Sequence, residues 1–451
     1  MASGQKISER GMAAGLRALN RVASSPALDR LGLREQAVKA LNGAGRNGTR
    51  VASAGRTFAA AQRLSSPARQ RTASDPDRPD LFDLTPTEEQ QLLRETVGEF
   101  ALQRLRPAAG GADDATATPP ELLAQANELR LTMVGVPEEL GGVVTERSAT
   151  TAVLMAEALA RGDMGIAVAC LAPAAVSTAI ALWGDADQQS KYLPPFVSDD
   201  VPAAALALME SRPLSDPLSP ATRAVKSPDG GYVLHGAKAL VPRAADAELF
   251  VIGARLGDRG PALFVVESGT EGLSVAPEPG IGVRAAATGR LELSDVRLPA
   301  SALLGGGAGG SDSAGAAYRD CVSLARLAWC ALAVGTGQAV LDYVTGYVSE
   351  RRAFGEPIAQ RQAVAFAVAN IEIELDGLRL ATYRAAARAD RGLDFHREVA
   401  LARQLCARHA MAIGSDGIQL LGGHGYVKEH PVERWYRDLR ATGMLEGGIL
   451  V

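Results

Sequence analysis

The 451-residue sequence predicts an α+β chain with a helical N-terminal domain over 85–200, a middle antiparallel β domain over 201–304 and a C-terminal helical bundle domain over 305–451. Two observations predict this order. Apolar residues recur at helical spacing before about 200 and again after 317, whereas 231–298 breaks into short β-rich runs separated by Gly, Pro or Asp. The late helices are long with short connections, as antiparallel neighbours in a bundle are. Ahead of them lies a basic Ala/Arg-rich extension and linker, 1–84.

Residues 1–72 hold 13 Lys and Arg against three acids, so a +10 arm precedes a −14 body within the net charge of −4. Such an arm either stays loose, having little apolar surface to bury, or docks by charge on anionic lipid or an acidic partner. An Arg-rich, acid-poor amino end resembles a transit peptide, yet only six of the chain's 47 basic residues are Lys, so the Arg bias is general. No early apolar block of the signal-peptide kind stands here. The expectation is a bacterial cytoplasmic protein, with peripheral membrane or partner contact through 1–72. Residues 73–84 (ASDPDRPDLFDL) read as a linker.

Thr85-Pro86-Thr87-Glu88-Glu89 opens the first helix, with Thr85 as its cap, Pro86 in the first turn and acids at the positive amino end. Further helices are expected at about 120–130, 147–161, 165–183 and 186–195. The uncharged stretch 164–184 is long enough to span a bilayer, but it is Ala-rich and contains Pro173, Ser177 and Thr178, so it reads as a buried core helix. Strands are expected at 231–242, 248–256, 261–267, 273–277 and 290–298, in an antiparallel sheet or small barrel. Residues 305–316 (GGGAGGSDSAGA) read as a flexible joint. Gly305, Gly307 and Gly310 match G-x-G-x-x-G, but no βαβ unit surrounds them, so no dinucleotide is expected there. Helices follow at 317–349, 358–390 and 396–421.

Hydrophobic residues at 47% and charged ones at 22% suit an ordinary globular core. Aromatics at 4% and the acidic balance exclude a base-stacking platform and a generally basic nucleic-acid binder. Cys170, Cys321, Cys330 and Cys406 form no C-x-x-C pair, and only His409 lies close to one of them. Neither a disulfide framework nor a metal site is expected, as in an intracellular protein.

Four features of the last 130 residues stand in a set order: Arg326 on a helix, ERRAFGEPIAQRQAVAF over 350–366, IQLLGGHGYVKEHPVERWYRD over 418–438, and LEGG over 445–448. Together they resemble the acyl-CoA dehydrogenase family. The resemblance extends more thinly over 85–316 and does not reach the first 80 residues. It implies FAD held partly across a subunit boundary in a homodimer or homotetramer. It also implies oxidation of an acyl-CoA to the trans-2-enoyl-CoA, with electrons passing to an electron-transferring flavoprotein.

That reaction needs a base for the α-proton and an acceptor for the β-hydride, and no side chain accepts hydride. By resemblance Glu446 is the base, and Gly447 and Gly448 let the backbone pass close to the ligand. Read alone, Glu446 is a solvated acid. The stretch ARLAWCALAVG over 325–335, where some members carry their base, holds no carboxylate. Arg326 resembles the arginine at the start of that helix and would hold the Glu446 loop by the substrate; its plain alternative is a surface ion pair. For FAD, the resemblance implies Arg351 on the pyrophosphate, Phe354 packed on the cofactor, Gln362, and Gln419, Gly422 and Gly423 reaching the neighbour's FAD. The plain alternatives are a helix-end charge, core packing, a surface Gln and a helix C-cap. His424 and His430 read as structural or solvated.

The middle domain departs from the family. Its Thr-Glu-Pro…Gly-Ser-Asp phrase appears as Met209-Glu210-Ser211…Leu214-Ser215-Asp216, leaving Glu210, Ser215 and Asp216. Its Lys-x-Trp-Ile-Thr phrase appears as Lys238-Ala239-Leu240-Val241-Pro242, so a shielding aromatic and a hydroxyl are gone. Five residues follow Glu446, with Gly448 and Leu450 where members carry Thr and Gln on the FAD before a closing helix. An alternative function is therefore kept: a catalytically inactive subunit that supports an active homologue. An acyl-CoA oxidase, passing electrons to oxygen, is a third reading.

Overall fold

The computed structural model describes residues 84–142, 147–212, 215–306 and 310–451, without the side chains of 310–312. The arm 1–72, nearly all of the linker, and Gly307 of the glycine match lie outside the described residues.

The first helix, α1, is Glu88–Phe100. Its cap is Thr87 and not Thr85, because Gln90 stands three residues beyond Thr87. Thr87 Oγ1 accepts from the Gln90 N–H at 3.2 Å and Gln90 Oε1 from the Thr87 N–H at 3.0 Å, a reciprocal capping box. One wide turn, Ala101–Leu105, leads into α2, Arg106–Ala115, which the sequence reading missed. Pro107 sits in its first turn, directly after the wide turn in which the Arg106 N–H reaches back to Ala101 O. Then come α3 (Pro120–Glu128), α4 (Ala149–Ala160), α5 (Met164–Trp183) and α6 (Ala186–Tyr192). Every α5 residue over 164–180 is buried. Among the described residues two helical stretches, Met164–Trp183 and Ser313–Glu350, are long and apolar enough to cross a membrane, and both are mostly buried inside the protein.

The β domain holds β1 (Ala204–Ala207), β2 (Arg223–Lys226), β3 (Tyr232–Val241), β4 (Leu249–Leu256), β5 (Pro261–Glu267), β6 (Leu273–Pro277) and β7 (Gly289–Leu298). The expected strands are present, with β1 and β2 in addition. The sheet is mixed rather than purely antiparallel: β1 and β2 both run parallel to β4, which pairs antiparallel with β5 on its other edge. Parallel pairing is available because β1 and β2 reach β4 through long connections and not hairpins.

The last part is a bundle of α7 (Gly310–Glu350), α8 (Gln362–Asp390), α9 (His396–Leu421) and α10 (Val432–Met444). A β8–β9 hairpin (Arg352–Ala353 with Glu356–Pro357) joins α7 to α8. The stretch read as a joint is helical from Gly310, so Arg326 lies more than four turns into α7 and not at its start. α10 escaped notice because it is rich in charge, yet Val432, Trp435, Leu439 and Thr442 form a buried stripe at helical spacing.

α10 is tied to the other parts by buried polar and charged groups. Asp438 Oδ1 accepts from the Val283 N–H at 2.6 Å, Arg434 Nε pairs with Asp163 at 3.1 Å, and Arg437 Nη2 with Asp113 at 2.8 Å. Burial, with the Asp163 charge adding to it, pushes the Asp438 carboxyl up to about 8. An unfolded Asp titrates near ~4, so the folded state holds a proton that the unfolded chain has lost. The stability from Asp438 is complete below that lower value and lost as pH rises to about 8. The unfolding temperature, followed by calorimetry from pH 5 to 9, should fall with rising pH, and Asp438→Asn should flatten the fall. Equal slopes in both proteins would contradict this assignment.

Candidate active site

Glu446 lies on the segment that leaves α10. Gly447 (φ +72°) and Gly448 (φ +78°) follow it, two consecutive left-handed residues that a side chain would strain. They fold the segment onto β1: Gly447 bridges Ala207, and the Gly448 N–H donates to Leu206 O at 3.0 Å. From α7, Trp329 Nε1 donates to Gly447 O at 2.9 Å. A Cβ on Gly447 would lie 2.9 Å from Leu208 Cβ, and one on Gly448 2.9 Å from Pro242 Cγ. Gly447 thus makes a close approach to the protein's own chain at Leu208.

Two arginines meet the Glu446 carboxylate, whose side chain is 15% exposed. Arg326 Nε lies 3.0 Å from Oε1 and 2.9 Å from Oε2, and its Nη2 lies 2.9 Å from Oε1. Desolvation works against the Arg326 charge, but the bonds and charge of Glu446 outweigh it and raise the pKa. Arg326 therefore positions the carboxylate and does not line the adjoining cleft. Arg403, on α9, donates from Nη2 to Leu445 O at 2.6 Å and reaches Oε1 at 3.5 Å. Sequence reasoning missed Arg403. The available signal was a basic residue on the α9 face that buries Val399, Cys406 and Ala410.

Glu446 forms one wall of a cleft of about 560 Å³. Residues 209–212, Ser215, Leu240, Glu278 and Met444 form much of the rest. The two altered phrases of the β domain, far apart in sequence, thus converge on Glu446. Behind them Lys238 is fully buried and pairs with Glu210 at 3.0 Å. Burial brings the Lys238 ammonium down to about 8, a fall that Glu210 opposes. Glu210 also accepts from the Ala221 and Thr222 N–H groups at 2.7 Å. Desolvation raises its pKa, but Lys238 and those N–H groups prevail and hold it below the usual range. Leu240 adopts φ +50°, and its N–H is taken by Glu278 Oε2 at 2.8 Å.

The remaining expected residues do not enter the cleft. Arg351, Gln362, Gln419, Gly422 and Gly423 are exposed. Phe354 is 92% exposed, with the Arg361 guanidinium 4.9 Å from its ring centre. They share one end of the bundle, where Tyr347, a turn before Arg351, donates to Leu421 O at 3.4 Å and bonds His424 Nδ1 at 2.7 Å. Tyr343 bonds His430 Nδ1 at 2.6 Å, so both histidines are held within the structure. Residues 449–451 are buried among α4, α5 and α7, where a cavity of about 30 Å³ remains. The four cysteines are free and buried, and no metal-binding cluster occurs among the described residues.

Three family models match in chain order: the acyl-CoA dehydrogenase N-terminal domain over 87–200, middle domain over 205–296 and C-terminal domain over 316–449. The chain is 34% identical over 370 residues to the short-chain specific acyl-CoA dehydrogenase of Bos taurus mitochondria, covering 80% of this chain and 87% of that one. Its fold is similar to butyryl-CoA dehydrogenase from Megasphaera elsdenii, with a TM-score of 0.73 and 27% identity over 80% of this chain and 95% of that one. PigA with FAD and proline is also similar, with a TM-score of 0.73 and 26% identity over 80% and 94% of the two chains. The chain belongs to the acyl-CoA dehydrogenase family.

Gly447→Ala should lower the unfolding free energy by about 2 kcal/mol, from the left-handed strain and the Leu208 clash. Urea unfolding measures this; an unchanged midpoint would show that the hook onto β1 is not rigid.

Proposed function

We propose that this protein oxidises an acyl-CoA thioester to the trans-2-enoyl-CoA, with FAD as cofactor and Glu446 as the base that removes the α-proton. One observation carries the reading: a half-buried carboxylate, clamped by Arg326, on the wall of a cleft whose other walls are the phrases at the family's flavin contacts. The cleft fits a flavin by its size and by the apolar faces of Met209, Pro220 and Leu240. At residue 240 it offers no backbone donor, since the Leu240 N–H is taken by Glu278. Each lost neutral hydrogen bond weakens binding by about 1 kcal/mol. FAD, when bound, accepts the β-hydride and with it two electrons.

The chain's own residues do the rest. Arg326 keeps the Glu446 carboxylate aimed, with three contacts at 2.9–3.0 Å. The Glu446 backbone N–H is our candidate donor to the thioester oxygen, where negative charge grows as the proton leaves. Ser215 would face the flavin. Arg351, Phe354 and Gln362 would hold the nucleotide part, and Gln419, Gly422 and Gly423 would meet a neighbour's FAD. A stripe on α8 supports assembly as a homodimer or homotetramer: Phe366, Ile373 and Leu380, seven residues apart, are 59%, 68% and 59% exposed. A short acyl group is favoured by the similarity to short-chain specific acyl-CoA dehydrogenases. Electron-transferring flavoprotein is the proposed acceptor, and the bacterial cytoplasm the proposed location. Contact of 1–72 with a membrane or an acidic partner remains part of this proposal.

The inactive-subunit reading is favoured by the lost flavin donors alone. The visible spectrum separates the two: flavin bands that bleach anaerobically with an acyl-CoA support the enzyme, whereas a colourless protein that co-purifies with a homologue supports the subunit. Glu446→Gln should retain FAD and slow bleaching at least about 100-fold; bleaching at the parent rate would place the base elsewhere. Among acyl-CoAs of 4 to 16 carbons, about four to six should react fastest. Ile373→Asp with Leu380→Asp should yield monomers in light scattering, and an unchanged mass would remove α8 from the interface.

A further inference from the structure

Arg403 is an expensive residue to keep where it is. It is buried in the middle of α9, burial lowers its pKa, and Glu446 is the acid that most opposes that fall. Its Nη1 is buried without a partner, and among the described residues Glu446 is the acid within ion-pair distance of it. A guanidinium removed from water with an unused donor weakens a fold more than an apolar side chain of similar volume would. Structure alone does not account for it.

The donors on Glu446 are divided unequally. Oε1 faces Arg326 Nε at 3.0 Å, Arg326 Nη2 at 2.9 Å and Arg403 Nη2 at 3.5 Å; Oε2 faces Arg326 Nε at 2.9 Å. The same Arg403 nitrogen also holds Leu445 O, on the residue just before the carboxylate. We propose that Arg403 is a positioning residue for proton transfer: with Arg326 it ties down Oε1 and the backbone beside it, leaving Oε2 as the oxygen that takes the α-proton. This rests on Glu446 being the base. In the step the Cα–H bond breaks and the proton passes to Oε2. The electron pair left on Cα forms the Cα–Cβ double bond as the β-hydrogen departs with two electrons to the flavin. The thioester is oxidised and the flavin reduced. Removing Arg403 takes one of two cations away from the carboxylate.

The test uses the full chain with FAD, butyryl-CoA as probe, and the variants Arg403→Met, Arg403→Lys and Glu446→Gln. Arg403→Met should keep its FAD, unfold no lower than the parent and hold KM within about twofold. Its maximal bleaching rate should fall by about tenfold, and the acidic limb of its pH–rate profile should move up by on the order of one pH unit. Arg403→Lys should restore the limb but not the full rate, since it returns the charge without the fork. Urea unfolding of Arg403→Met, Glu446→Gln and the double variant should show the two residues coupled, a readout independent of turnover. Parent-like rate and limb in Arg403→Met, or zero coupling, would overturn the proposal. So would a loss confined to unfolding temperature and FAD content with the pH profile unmoved. If Arg403→Met does not fold, Arg403→Lys decides: a tenfold slower rate at the parent's unfolding temperature supports the assignment, and a parent-like rate overturns it. Continued bleaching by Glu446→Gln would instead overturn the base assignment itself, whereas an inert Glu446→Gln beside an unaltered Arg403→Met overturns the Arg403 role alone.

Discussion

The Arg326 fork on the Glu446 carboxylate is the contact around which the described structure is organised. It joins the long α7 to a segment with no regular structure of its own. A lone carboxylate there would be free to turn to water. Held by a guanidinium from a long helix, it keeps one direction. The surroundings serve the same end. Trp329, one turn further along α7, holds the next carbonyl, and β1 supplies the bridge that fixes the two glycines. The bundle and the β domain thus meet at this short segment, where chemistry needs the smallest error in position.

The cleft beside it shows how the β domain contributes. Lys238 and Glu210 form a buried pair under its floor, and Glu210 also binds the backbone at 221 and 222. That pair orders the strand ends from which the cleft walls rise. Leu240 shapes one wall without breaking this foundation. Leu240 gives an apolar surface, and Glu278 satisfies its backbone N–H. A flavin here would meet that apolar face together with the polar side chains of Ser215, Asp216 and Arg290.

Much of the fold was legible in the sequence because long helices and alternating strands carry their period openly. The failures have local causes. β1 is Ala-Ala-Leu-Ala, with no β preference of its own, and becomes a strand only by lying parallel to β4. α2 was masked by Pro107, Gly110 and Gly111, and α10 by its charges, although α10 carried a readable stripe. Glu446 was legible only through the phrases that resemble the family; by itself it is an acid beside two glycines. Arg403 was legible only as a basic residue on the buried face of α9; its role depends on α9 facing a segment more than 40 positions away, as its bond to Leu445 shows. The surface group at 351–362 and 419–423 was named from resemblance, and within one chain it shares an end of the bundle but no cleft.

Exchange of the α-hydrogens of butyryl-CoA with heavy water, followed by mass spectrometry under anaerobic conditions without an electron acceptor, tests the central claim most directly. The account predicts that the FAD-loaded parent incorporates deuterium at the α-carbon and that Glu446→Gln, with equal cofactor content and ligand affinity, does not. Incorporation by that variant at the parent's rate would contradict it, because some other group would then be removing the proton.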